Sequence, residues 1–144
     1  MTDEAPKQGH PKDIQGLFLF YWLPVLIFAA VIFFQSAGPS PLQIDLFDWF
    51  DKLVHFVVYA VFGILIYRAV GTTFPEKPQK WILLSSILLG SFYGATDELH
   101  QLFVSARNGD FFDFLADTAG VAAGVWLYRR LTASSSPEKP AGTP

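Results

Sequence analysis

Between Asp13 and Asp45 the chain carries no charged side chain, and within that interval Gly16 to Phe34 supplies 19 almost wholly apolar residues. At about 1.5 Å per residue such a stretch spans roughly 28 Å, the thickness of a bilayer's hydrocarbon core. A helix in a soluble bundle needs a polar face toward water, and this run has none. Pro24 lies inside it and marks a possible kink, since proline donates no backbone N–H. A cleaved signal peptide is the competing reading, with Lys7 and Lys12 before the run and Ser36-Ala37-Gly38 after it. The run is longer than a signal core of about 7 to 15 residues, so a resident transmembrane helix is expected.

Three further apolar runs follow. Leu53 to Tyr67 is interrupted only by His55 and closed by Arg68, and extending it to Trp49 and Val70 gives a spanning length; Trp81 to about Phe103 is apolar through Tyr93 and then polar; Phe111 to Tyr128 carries Asp113 and Asp117 in its first half and stops at Arg129 and Arg130. The expected fold is all-α, a polytopic membrane protein built as a bundle of four transmembrane helices over residues 14–131. Residues 1–13 and 132–144, rich in Pro, Ser and charge, read as disordered cytoplasmic tails. Composition agrees: the chain is 51% hydrophobic and 16% charged, whereas a soluble domain spends about a quarter of its residues on charge.

Lys and Arg set the expected orientation. Lys7 and Lys12, then Arg68, Lys77 and Lys80, then Arg129, Arg130 and Lys139 would share one side, leaving only Lys52 and Arg107 on the other. The positive-inside rule makes the first side cytoplasmic, with both termini there. Trp81, Trp126, Tyr67 and Tyr128 then form an inner aromatic belt, and Trp49 and Phe50 lie on the outer side.

A net charge of -3 without a basic cluster argues against nucleic acid as a partner. The absence of cysteine excludes disulfides and thiolate metal sites. Two histidines and several carboxylates could in principle make a zinc site, but their spacing matches no strong signature and there is no HExxH, so no metal or cofactor is expected.

With that topology the ionisable residues converge on the outer face. Asp48, Asp51, Lys52, His55 and Tyr59 recur at spacings of three and four, forming one stripe on the second helix. Asp97, Glu98 and Gln101 share an arc of the third helix, with His100 on its edge, and Asp113 and Asp117 stand one turn apart on the fourth. Asp51, Lys52, Arg107 and Asp110 also read as interfacial charges solvated at helix ends. Asp117 lies six residues past Phe111, roughly 9 Å into its helix, where a lipid-facing carboxylate costs on the order of 3 kcal/mol. Such groups turn inward and pair. Gly120, Ala123 and Gly124 form a small-residue face of the kind that packs helices closely.

Asp51-Lys52-x-x-His55-Phe56-x-x-Tyr59, then Asp97-Glu98-x-His100-Gln101-Leu102-Phe103, then Arg107, Asp113 and Asp117-Thr118-x-Gly120 together resemble the VanZ-like family of bacterial membrane proteins, over roughly Gly16 to Leu131. The resemblance implies a membrane protein of the cell envelope, in a family associated with teicoplanin resistance, and the same order of polar residues at the outer face. It implies no reaction. Two departures stand out: Asp117 occupies a position where the family often has Asn, and Ser105-Ala106 precedes Arg107 in place of a small or Pro-Gly pair.

The functional expectation is a non-catalytic interaction or binding protein whose partners are membrane lipids, a lipid-linked envelope precursor or a glycopeptide. The alternative is a membrane-embedded enzyme on such a substrate, with His55 or His100 as base, Asp97 or Glu98 orienting it, and Lys52 and Arg107 holding an anionic group. Asp51, Tyr59, Gln101, Asp113 and Asp117 complete the substrate-binding candidates. A proton-coupled transporter is a further class, weakened by the lack of a broken-helix pair.

Overall fold

The computed structural model describes residues 14–38, 49–104 and 109–133. Among them there are four long helices and no strand. We number the helices α1 (Ile14–Ser36), α2 (Phe50–Thr73), α3 (Gln79–Gln101) and α4 (Phe111–Ala133). Each exceeds the sequence-based limits at one end or both. The expected tail from residue 132 therefore begins within α4, and the rest of both tails, Asp48 and Arg107 lie outside the described residues.

Two helices, α1 and α2, are long and apolar enough to cross a membrane, at 23 and 24 residues. In α3 and α4 the acidic residues at one end interrupt the apolar run. The irregularity expected at Pro24 is real but falls just before it: Phe18–Trp22 is a π-helical turn, in which the Leu23 N–H reaches Phe18 O. Pro24 cannot donate to the carbonyl four residues back, and the wider turn absorbs the fault.

The bundle is assembled around glycine. A Cβ on Gly120 would lie 2.3 Å from Phe56 O, one on Gly124 2.0 Å from Ala60 O, and one on Gly63 2.6 Å from Val121 O. Only hydrogen fits at these crossings, so α2 and α4 meet main chain to main chain, as the small-residue face predicted. Their contact is the most extensive in the bundle. By contrast α3 meets the pair through side chains, with Gly90 over the Val121 methyls and Gly94 over Asp117 and Tyr59.

Away from the seam the helices are apolar outward. Phe20, Phe34, Val57, Leu88, Phe92 and Trp126 are all more than half exposed. The buried apolar centre runs along α2 from Tyr59 through Phe62 and Ile66 to Val70, and takes Val121 and Val125 from α4, Val25 and Ile32 from α1 and Ile82 from α3. This is an inside-out distribution for a soluble chain, which rarely exposes continuous apolar surface on such a scale.

At the end opposite the acidic residues, the Trp22 indole N–H donates to the Thr73 hydroxyl at 2.8 Å and Gln79 bonds the Tyr67 hydroxyl. Midway, the Tyr93 hydroxyl donates to Ala29 O at 2.6 Å and fastens α1 to α3.

Candidate functional site

The start of α2, the end of α3 and the start of α4 lie at one end of the bundle, and the glycine seam decides how near they come. Phe56 crosses Gly120. The residue before Phe56 is His55, and one turn before Gly120 lies Asp117, so the seam brings these two side chains together. His55 Nδ1 is 2.9 Å from Asp117 Oδ1 and 3.9 Å from Glu98 Oε1. Three helices thus contribute one side chain each to a single point.

A second knot closes the site from outside. Lys52 Nζ donates to Asp110 Oδ2 and to Asp113 Oδ1, both at 2.8 Å. Asp110 also caps α4, its Oδ1 accepting the Phe112 N–H at 2.9 Å, while its own N–H donates to Glu98 Oε2 at 2.9 Å. One loop residue therefore links α2, α3 and α4. Two hydrogen bonds hold its carboxylate, first from Lys52 and then from the Phe112 N–H, and lower its pKa below the ordinary 3.8. Stabilising an acid's charged form by neighbouring donors has this effect.

Deeper in, Asp97 Oδ2 accepts from Ser36 Oγ at 2.9 Å, drawing the end of α1 onto α3, and Gln101 Nε2 lies 3.3 Å from Asp97 Oδ2 and 3.4 Å from Glu98 Oε1. Asp97, Glu98, Gln101, Asp113 and Asp117 are all buried. Charges at such positions must be paired or must hold a partner.

The expected site residues separate into those brought together and those held apart. His55, Glu98, Asp117, Tyr59, Asp97, Gln101, Lys52 and Asp113 share one cluster. Asp51 lies at its exposed rim. His100 turns away: its ring packs edge-on against Phe33 of α1, with centroids 4.5 Å apart. Arg107, expected to hold an anionic group with Lys52, lies outside the described residues. Lys52 is already held by two carboxylates, so the described cluster is acidic. Ser36 was missed because nothing at the end of an apolar run announces a partner 61 residues away. Asp110 had a signal, an Asp between Gly109 and an apolar helix, which is a helix-start pattern.

Beside the cluster a groove of about 380 Å³ runs between the end of α3 and the start of α4. Its lining is mostly apolar, from Leu99, Leu102, Phe111 and Phe114, and also includes Glu98 and Asp110. An apolar slot with two acidic residues in its lining suits an amphipathic ligand.

A family model described as VanZ/LLP1 matches residues 7–132. The chain belongs to the VanZ/LLP1 family. It is also similar to an uncharacterized protein of the fission yeast Schizosaccharomyces pombe, 27% identical over 109 residues, which are 76% of this chain and 60% of that one. The chain therefore spans less than two thirds of that relative's length, and the likeness reaches a fungus. No solved structure matches.

Proposed function

We propose that this VanZ/LLP1 chain is a multi-pass membrane protein of the cell envelope that binds, without transforming it, the polar head of a lipid or lipid-linked molecule. All four helices would cross the bilayer, with both termini cytoplasmic and the acidic end outward. The apolar outward faces and the Lys and Arg distribution support this orientation.

The observation that carries the reading is the mostly apolar groove with Glu98 and Asp110 in its lining. Chains of a lipid would lie along Leu99, Leu102 and Phe114. The head would meet oxygen acceptors, which select an amine, a hydroxyl or another donor-rich group. The fungal relative favours a ligand that membranes of both kinds contain over one restricted to glycopeptide chemistry.

The test is photocrosslinking in the native membrane with a phosphatidylethanolamine analogue that carries a diazirine in its acyl chain. Crosslinks should concentrate on Leu99, Leu102 and Phe114 and fall at least tenfold in Glu98→Gln. An even spread over all outward faces would sink the reading.

A second reading, an enzyme acting on the same molecule, draws support from the His55–Asp117 pair. In the metal-free tautomer with the proton on Nδ1, the Asp117 carboxylate would accept it and leave Nε2 as a base. Lipid profiles of cells expressing wild type and His55→Ala separate the two readings: a product lost only in the variant would favour the enzyme.

A further inference from the structure

The His55, Glu98 and Asp117 cluster has more acceptors than donors, and their arrangement says more than a generic acidic patch does. The three potential ligand atoms come from three different helices and all lie within 4.8 Å of one another. Zinc binds nitrogen and oxygen at about 2.0–2.2 Å, so two ligands on a tetrahedral ion stand about 3.4 Å apart. The observed separations from His55 Nδ1, 2.9 Å to Asp117 Oδ1 and 3.9 Å to Glu98 Oε1, lie on either side of that value.

A second observation is independent of the cluster. Tyr59 is 1% exposed, and its hydroxyl has no hydrogen-bond partner among the described residues. The same holds for Asp117 Oδ2, on a side chain that is 0% exposed. The two side chains flank the same glycine: a Cβ on Gly94 would lie 3.2 Å from Asp117 Oδ2 and 3.3 Å from Tyr59 Cε1. Side chains on a helix lean toward its N-terminus, so Tyr59, one turn after His55, leans toward the cluster. A phenol and a carboxylate oxygen buried without partners forfeit their hydration uncompensated unless something occupies the space they face.

We infer that His55 Nδ1, Glu98 Oε1 and Asp117 Oδ1 form a binding site for one divalent first-row transition ion, beside which Tyr59 and Asp117 Oδ2 hold a water in the ion's remaining position. One nitrogen with two carboxylate oxygens selects zinc, manganese or ferrous iron over calcium and magnesium, which prefer oxygen alone. The ion offsets the charge of two buried carboxylates that one imidazole cannot neutralise. The neighbouring set of Asp51, His55 and Asp113 is weaker, because Lys52 already holds Asp113. The site goes beyond the lipid-binding reading, and it can be measured whether or not a lipid binds.

The test uses the full chain without an affinity tag, purified in detergent, stripped with a chelator and titrated with Zn²⁺ alone against a chromogenic competitor. We expect one ion per chain with a dissociation constant below about 1 µM, and a rise in melting temperature on binding. Glu98→Gln should weaken binding at least 100-fold and Tyr59→Phe about tenfold. Because Glu98→Gln also disturbs Asp110, a second variant keeps the question open to refutation. His55→Cys introduces the only thiol of the chain. It should bind Cd²⁺ with a sulfur-to-metal charge-transfer band. Wild type without stoichiometric binding of Zn²⁺, Mn²⁺ or Fe²⁺ would overturn the assignment. So would Zn²⁺ binding untouched by Glu98→Gln together with no charge-transfer band in His55→Cys. Lipid crosslinking that survives either result would leave the groove reading standing on its own.

Discussion

Gly124→Ala adds a single methyl group at the tightest point of the molecule. That carbon would stand 2.0 Å from Ala60 O and 2.8 Å from Ala60 C, where ordinary contact begins at 3.4 Å. The obstacle is backbone, so no side chain can rotate away, and α2 and α4 must part locally by about 1 Å. Overpacking of this kind costs about 1–3 kcal/mol, and a rigid backbone neighbour puts the cost at the upper end. Alanine in a helix interior gains up to about 1 kcal/mol over glycine. The net expectation is a loss of about 2 kcal/mol, read as reversible unfolding in mixed micelles of increasing sodium dodecyl sulfate fraction. Gly71→Ala is the internal control: its Cβ meets only an Ile82 methyl at 3.6 Å, so the variant should be neutral or up to about 1 kcal/mol more stable. Equal stability of Gly124→Ala and Gly71→Ala would refute the main-chain seam.

Other expectations concern charge and topology. Lys52→Met should destabilise by about 3 kcal/mol in the same assay, because it leaves the buried Asp113 carboxylate uncompensated; a change under 0.5 kcal/mol would mean that Asp113 is held some other way. Asp110, with its folded pKa lowered, contributes stability that is full above 3.8 and lost as pH falls through its lower folded value. A ¹³C titration of its carboxyl should therefore give a midpoint below 3.8 in wild type and nearer the ordinary value in Lys52→Met, and a normal midpoint in both would contradict the contact. For topology, Phe103→Cys should react with an impermeant maleimide in intact cells and Phe74→Cys should not, whereas the reverse labelling would turn the acidic end to the cytoplasm.

The sequence carried the helices and the convergence of polar groups, but not the pairings. Runs such as Gly16–Phe34 declare themselves because they carry no polar side. The small face at Gly120 and Gly124 was legible as a packing surface, yet nothing local named Phe56 and Ala60 as what it packs on. His55, Glu98 and Asp117 could be put at one end from helix direction alone. That His100 would turn to Phe33 while Glu98 turned to Asp110 depends on how α1 and the α3–α4 loop lie, which helical periodicity does not encode. Asp110 was read as a solvated charge because its capping, ion-pairing and backbone roles come from three helices at once.

The glycine seam has a mechanical meaning. Two backbones in register resist sliding by anything less than a whole helical turn, about 5.4 Å, so α2 and α4 act as one stiff beam. The beam carries His55 and Asp117 at a fixed gauge, whereas α3 rests on it through yielding methyl and carboxylate contacts. A shift of α3 on that beam would therefore move Glu98 without changing the His55–Asp117 spacing. The Asp110 N–H, which donates to Glu98 Oε2, ties the end of α3 to the start of α4 against such a shift.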